Sequence, residues 1–179
     1  MPVNNFSLVL TLLLFFSCDY SNDKLKPNIV LFMVDDLGWQ DTSVPFWNKK
    51  TKYNEIYSTP NMELLADMGV KFTNAYSTPV CSPTRISLMT GMNAARHRVT
   101  NWTLHPNVRK PAEINHSTFD FPNWNYNGLS VSDSIPNSVL ATPLPQILRE
   151  NGYFTIHAGK AHLGAIGYPS ANPLNIGFD

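Results

Sequence analysis

The sequence holds 179 residues, enough for one ordinary domain, and its 43% hydrophobic and 15% charged content argues for a packed core and against global disorder. Lys plus Arg and Asp plus Glu each number 13, so the chain is neutral and offers no electrostatic footprint for nucleic acid or an anionic membrane surface. Fourteen prolines and a visible abundance of Asn point to long ordered loops.

The N-terminus reads as a targeting segment. Phe6 to Phe16 is apolar apart from Ser7 and Thr11. It is too short to span a bilayer and matches a signal-peptide core in length. Ser17-Cys18 follows it, and a small residue then Cys after an apolar run resembles a bacterial lipobox, with Cys18 as the lipidated first residue of the mature protein. Met1 to Asn5 departs from that pattern by carrying no Lys or Arg, so a plain secretory signal with an incidental Cys, or a buried helix, stays open. The expected organisation is a lipoprotein-type signal over 1–18, a short polar linker over 19–26 and a domain over 27–179. That places the protein outside the cytoplasm, in the periplasm or outer membrane as a lipoprotein, or secreted. The two cysteines are Cys18 and Cys81. They can pair in an exported protein. With Cys18 lipidated or removed, Cys81 is a lone thiol that calls for a chemical reason.

Strand and helix signals alternate along the domain. Ile29 to Val34 is a continuous apolar run suited to a parallel strand buried on both faces, and it ends in Asp35-Asp36-Leu37-Gly38. Thr59-Pro60 reads as N-cap plus first-turn Pro, with Met62, Leu64, Leu65 and Met68 as an apolar stripe and Gly69 as the C-cap. Val70-Lys71-Phe72 alternates like a short strand. Ser82-Pro83 starts a second helix through Ile86, Leu88 and Met89, stopped by Gly91. Residues 95–140 are rich in Asn, Pro, Ser and Trp without a clear period and read as irregular surface excursions; Trp102, Trp124 and Tyr126 there suit either sugar stacking or pinning of a loop. A third helix follows Thr142-Pro143, with Leu144, Ile147 and Leu148 on one face and Gly152 closing it. Tyr153 to Ile156 reads as a strand running into Gly159 to Gly164. This order predicts an α/β sandwich with a mainly parallel sheet. The closing Asn175 to Asp179 brings no terminal helix or polar tail, which points to a piece of a longer protein.

In such sheets, sites form beyond the carboxyl ends of strands, where three loaded segments fall. Asp35 and Asp36 are adjacent carboxylates that repel unless a cation neutralises them, and their hard oxygens suit Ca²⁺ or Mg²⁺; one capping a loop and the other facing solvent is the plainer alternative. Cys81-Ser82-Pro83-Thr84-Arg85 sets Cys81 at a helix start, where orphan N–H groups favour an anion, with Arg85 one turn beyond; a small core thiol beside an ordinary cap fits equally. Lys160 and His162 alternate after a strand, a pair able to hold an anion and move protons, or a solvated Lys and a hydrogen-bonded His.

Together these segments resemble the type I, formylglycine-dependent sulfatase family, similar in fold to alkaline phosphatase. Lys26 to Gly38 resembles the family's opening strand and metal-binding pair. Thr59-Pro60-Asn61 with Leu64-Leu65-Ala66 resembles its first helix. Cys81-Ser82-Pro83-Thr84-Arg85 with Thr90-Gly91 matches its Cys-x-Pro-x-Arg signature, and Gly159-Lys160-Ala161-His162-Leu163-Gly164 resembles its second signature. Gly177-Phe178-Asp179 also recurs in the family. The resemblance runs from about Lys26 to Asp179 and covers the N-terminal portion of the catalytic domain.

The resemblance implies an alkaline phosphatase-like α/β/α sandwich and a sulfuric ester hydrolase acting on a sulfated small molecule or polysaccharide. It implies that Cys81 is oxidised to formylglycine by a formylglycine-generating or anaerobic sulfatase-maturating enzyme. One hydroxyl of the hydrated aldehyde attacks sulfur and displaces the alcohol; the other loses its proton, expels sulfate and restores the aldehyde. Asp35, Asp36 and the modified Cys81 would bind Ca²⁺, Arg85 would stabilise the ionised diol, Lys160 would hold diol or sulfate, and His162 would assist sulfate release. Ala161 stands where the family usually has Trp, which implies a changed pocket wall with both flanking catalytic types retained. The family's remaining metal ligands, a further His and a further Lys match nothing before residue 179, so the chain alone is expected to be inactive and poorly stable. Two rival readings are a phosphatase or phosphonate hydrolase of the same superfamily and a non-catalytic surface lipoprotein that binds sulfated glycans.

Overall fold

The computed structural model describes residues 25–109, 117–119, 123–132 and 135–179. The signal segment over 1–18 lies outside these, as does most of the 19–26 linker. The chain divides into two units, Met1–Met33 and Val34–Asp179. In the first, residues 25–33 run without regular structure and are almost wholly exposed. No helix among the described residues is long and apolar enough to cross a membrane.

Among its described residues the second unit carries helices α1 (Pro60–Met68), α2 (Cys81–Thr90), α3 (Ala94–His97) and α4 (Leu144–Glu150), two strands, β1 (Leu129–Ser130) and β2 (Val139–Leu140), and 3₁₀ turns at Pro169–Ala171 and Pro173–Ile176. The strands pair in parallel, Leu129 with Val139 and Ser130 with Leu140. They lie inside the segment that the sequence marks as irregular; two residues each are too few to show a period. Conversely, Ile29 to Val34, Val70 to Phe72 and Tyr153 to Ile156 form no ladder. A strand is stabilised by its neighbours, and no neighbouring strand lies alongside these runs among the described residues, so their apolar side chains stay largely exposed. Helices and a parallel pair are the marks of an α/β chain, with the parallel sheet represented by β1 and β2.

Helix ends follow local chemistry unevenly. Pro60 opens α1 as expected, yet Thr59 caps nothing. Its hydroxyl is held instead by Ser43, 2.8 Å from the Ser43 hydroxyl and accepting the Ser43 N–H at 3.0 Å. The α1 stripe is unburied, and Gly69 is extended (φ −125°, ψ −151°) rather than a left-handed cap. The helix α2 starts two residues earlier than Ser82-Pro83 predicts, with Val80 as its N-cap and Cys81 inside its first turn. Gly91 ends it in the left-handed region (φ 67°), the conformation glycine adopts freely. At the end of α4, Gly152 N–H donates to the Arg149 carbonyl at 2.8 Å and Tyr153 N–H to that of Leu148 at 3.0 Å, a Schellman closure.

The core gathers Ile86 from α2, Val99 after α3, Leu129 and Val139 from the strands, Leu163, and Ile176, with Met89, Met92, Ala141 and Phe178 packed against it. Ile86 lies between Arg85 and Ser87, so the burial that anchors α2 also fixes the face presenting Cys81 and Arg85. Gly128 matters for the other half of the site. At φ 83° it bridges Gly164, and a Cβ there would stand 2.4 Å from the Leu163 carbonyl. That close approach lets Leu129 N–H reach the same carbonyl at 2.8 Å and pins the chain beside His162.

Candidate active site

Five of the six residues singled out in the sequence converge. Cys81 sits half-buried in the first turn of α2 with its thiol unbridged, and its Sγ lies 3.2 Å from His162 Nδ1. Arg85, one turn along, is 9% exposed. Its Nη2 donates to Asp35 Oδ1 at 3.0 Å and its Nη1 to the Lys160 carbonyl. Lys160 Nζ donates to the other Asp35 oxygen at 2.5 Å. The result is a ring of Asp35, Arg85 and Lys160 beside Cys81 and His162, drawn from segments up to 125 residues apart.

The electrostatics follow from this geometry. Hydrogen bonds from Lys160 first, then Arg85, hold the Asp35 carboxyl below the usual range. Asp35 in turn raises Lys160, with the nearby Cys81 adding to the effect against some desolvation, so the ammonium stays charged. Burial, and then the Lys160 and Arg85 charges, push His162 below the ordinary imidazole value, partly opposed by Asp35. A neutral imidazole 3.2 Å from the atom at position 81 can take or give a proton there. Among the buried polar atoms without a hydrogen-bond partner, two belong to this site: Arg85 Nε and His162 Nε2. Buried donors without partners are uncommon in folded proteins, and here both belong to the ring around Cys81. His162 itself takes φ 50°, a strained setting for a non-glycine residue.

Asp36 is the residue that stands apart. It is exposed, with φ 56°, while Asp35 carries the contacts. The repulsion expected of two adjacent carboxylates is relieved at Asp35 by two cationic side chains. Among the described residues no three or more His, Cys, Asp or Glu side chains converge as a metal cluster. The donor type still fits a hard cation: Asp35 and Asp36 are two adjacent carboxylates of the kind Ca²⁺ takes among its six to eight oxygens.

Two supports escape the sequence reading. Ser82, read as a helix cap, accepts the Thr103 N–H at 3.1 Å on its hydroxyl, with both residues fully buried. His97, wholly buried, lies 2.9 Å from the Ser87 hydroxyl through Nε2 and accepts the Val99 N–H on Nδ1 at 3.0 Å. An accepting Nδ1 leaves the proton on Nε2, so the imidazole donates to Ser87 and ties α2 to α3. Only the spatial pairing reveals either role; a lone Ser, Thr or His in the sequence carries no such signal.

Comparison with known proteins identifies the family. The sulfatase family model matches residues 27–179. Human N-acetylgalactosamine-6-sulfatase is 34% identical over 156 residues, covering 86% of this chain and 24% of that protein. An uncharacterized sulfatase of Schizosaccharomyces pombe is 35% identical over 153 residues, with 86% and 23% covered. A sulfatase of Formosa agariphila is 31% identical over 175 residues, with 97% and 30% covered. The chain thus spans about a quarter of the length of these curated relatives. With its ordered motifs, its converged ring and a family match over nearly all residues beyond the N-terminal segment, the chain belongs to the sulfatase family, whose fold is of the alkaline phosphatase-like α/β type.

Proposed function

We propose that the protein carrying this chain hydrolyses a sulfate ester, of a sulfated carbohydrate, through a formylglycine made from Cys81. The observation that carries the reading is the meeting of Cys81 with His162, Arg85 and Lys160 around one carboxylate, Asp35. A sulfate ester presents anionic oxygens, and this cluster supplies two cations and a proton carrier at the same spot.

The formylglycine hydrate supplies the hydroxyl that attacks sulfur and the one that later releases sulfate. A calcium ion held by Asp35 and Asp36, next to the modified residue 81 and with further ligands from elsewhere in the longer protein, would polarise the sulfate oxygens. The chain's own residues do the rest. Arg85, fixed by Asp35 and the Lys160 carbonyl, sets a permanent positive charge one helical turn from position 81 and stabilises the oxygen that ionises there. Lys160 holds the sulfate or the diol through its ammonium, which Asp35 keeps charged. His162, neutral because it is buried among cations, exchanges the proton of the residue-81 hydroxyl through Nδ1.

Maturation requires a partner that oxidises Cys81, a formylglycine-generating or anaerobic sulfatase-maturating enzyme. The substrate reading draws support from the N-acetylgalactosamine-6-sulfatases among the relatives. The N-terminal segment adds the proposal of an exported protein, with a signal over 1–18 and a lipid anchor at Cys18. The test is the full-length protein co-expressed with a maturation enzyme. The peptide carrying Cys81 should show an aldehyde by mass spectrometry, and aryl sulfate should be turned over faster than aryl phosphate. An unmodified thiol under those conditions, or a preference for phosphate, would overturn the proposal.

A further inference from the structure

The chain after α3 returns to the site from outside it. Thr103 is buried against α2, its N–H and hydroxyl 3.1 Å and 3.4 Å from the hydroxyl of Ser82, the residue next to Cys81. One residue on, the Leu104 carbonyl accepts the Ile166 N–H at 3.0 Å, four residues beyond His162. Asn107 then fastens to buried Asn127: its N–H donates to Asn127 Oδ1 at 2.7 Å, and its own Oδ1 accepts from Asn127 Nδ2 at 2.9 Å. Residues 102–107 are therefore strapped both to the helix carrying Cys81 and to the segment carrying His162. Irregular backbone held at three points is a fixed surface.

On either side of Thr103 the strap presents apolar side chains. Thr103 turns inward, and its neighbours Trp102 and Leu104 are left 50% and 43% exposed. Bonded and hydrogen-bonded atoms place the Trp102 Cα within about 12 Å of the Cys81 Cα. A sugar ring attached to a sulfate held at position 81 covers that distance. The ring around Cys81 is charged and polar, so it grips the sulfate end of an ester and makes no apolar contact with the alcohol end. A half-exposed indole carried on backbone held within that reach is a surface of the kind that end lacks.

We infer that Trp102 is a specificity-determining residue, the platform against which the sugar ring of a sulfated carbohydrate rests while its sulfate occupies the Cys81 site. This rests on the sulfatase reading and extends it to the alcohol part of the substrate. Trp102 touches substrate away from the reacting atoms, so its removal weakens binding of a sugar sulfate and spares the chemistry on a small flat ester.

The experiment uses the full-length matured protein, 4-methylumbelliferyl sulfate and a panel of sulfated monosaccharides, with W102A and W102F. Wild type should turn over at least one sugar sulfate. W102A should raise KM for it about three- to tenfold with kcat little changed, leave kcat/KM on the aryl sulfate within about twofold, and still unfold cooperatively. W102F, which keeps an aromatic face, should recover most of the loss. Equal losses on both substrates, or an unchanged KM for the sugar sulfate in W102A, would overturn the inference. So would aryl sulfate turnover with no sugar sulfate accepted, which leaves the sulfatase reading standing. Failure on every sulfate ester would remove that reading and this inference with it.

Discussion

Arg85 shows how one side chain can serve two structural purposes. Its guanidinium reaches Asp35 and the Lys160 carbonyl at once, which a lysine's single ammonium cannot reproduce. In the matured full-length protein, Arg85→Lys should lower kcat on aryl sulfate by about a hundredfold, measured against an unchanged formylglycine content. His97 is the second informative residue. Burial lowers its pKa, against the raising effect of nearby backbone carbonyls. The fold therefore favours the neutral ring, and its contribution is complete above the unfolded value of about 6.5 and lost as pH falls from there through the folded pKa. Protonation would also set an N–H against the Val99 donor. The melting temperature of the full-length protein should fall as pH drops below about 6.5, and His97→Gln should flatten that dependence. An equal slope in both proteins would contradict the role given to His97. Cys81, Arg85, Lys160 and His162 were legible because their order matches a known pair of signatures. The pairing of Lys160 with Asp35 was not, because it spans 125 residues and exists only through tertiary placement.

Elements in this chain are held by side-chain bonds as much as by propensity. Pro60, Gly91 and Gly152 could be read from the sequence, since each acts through its own backbone angles. Gly69 could be read as the stop of α1 but not in its conformation, because the chain leaves the helix extended. Ser82 misled for a related reason: Ser before Pro is a start signal, yet its hydroxyl is taken by Thr103, 21 residues away. Ser82→Ala would leave a buried Thr103 N–H without its acceptor. The expected cost is about 1–3 kcal/mol by denaturant unfolding of the full-length protein, with an unchanged m-value. The strands were the least legible elements. Ile29 to Val34 has the composition of a buried strand, but composition states only that a run suits a sheet. Whether it pairs depends on what lies beside it.

At the scale of the molecule, much apolar surface is unburied. Val70, Phe72, Phe154 and Ile156 are all largely exposed, as are Leu64, Leu65 and Met68 on α1. The core that does form, around Ile86, Leu129 and Ile176, lies under the site and positions it. Surfaces of this kind attract hydrophobic dye and neighbouring chains. Residues 25–179 alone should bind anilinonaphthalene sulfonate strongly and show no aryl sulfate turnover; a dye-silent, active preparation would contradict this. The ring around Cys81 is complete in charge but holds one carboxylate, Asp35, with Asp36 standing apart, which is why activity is assigned to the longer protein. The most direct test is aryl sulfate turnover by the full-length protein co-expressed with a maturation enzyme, compared with Cys81→Ala made identically. The account predicts turnover in the first and none above background in the second. Equal turnover by the two would show that Cys81 is not the nucleophile.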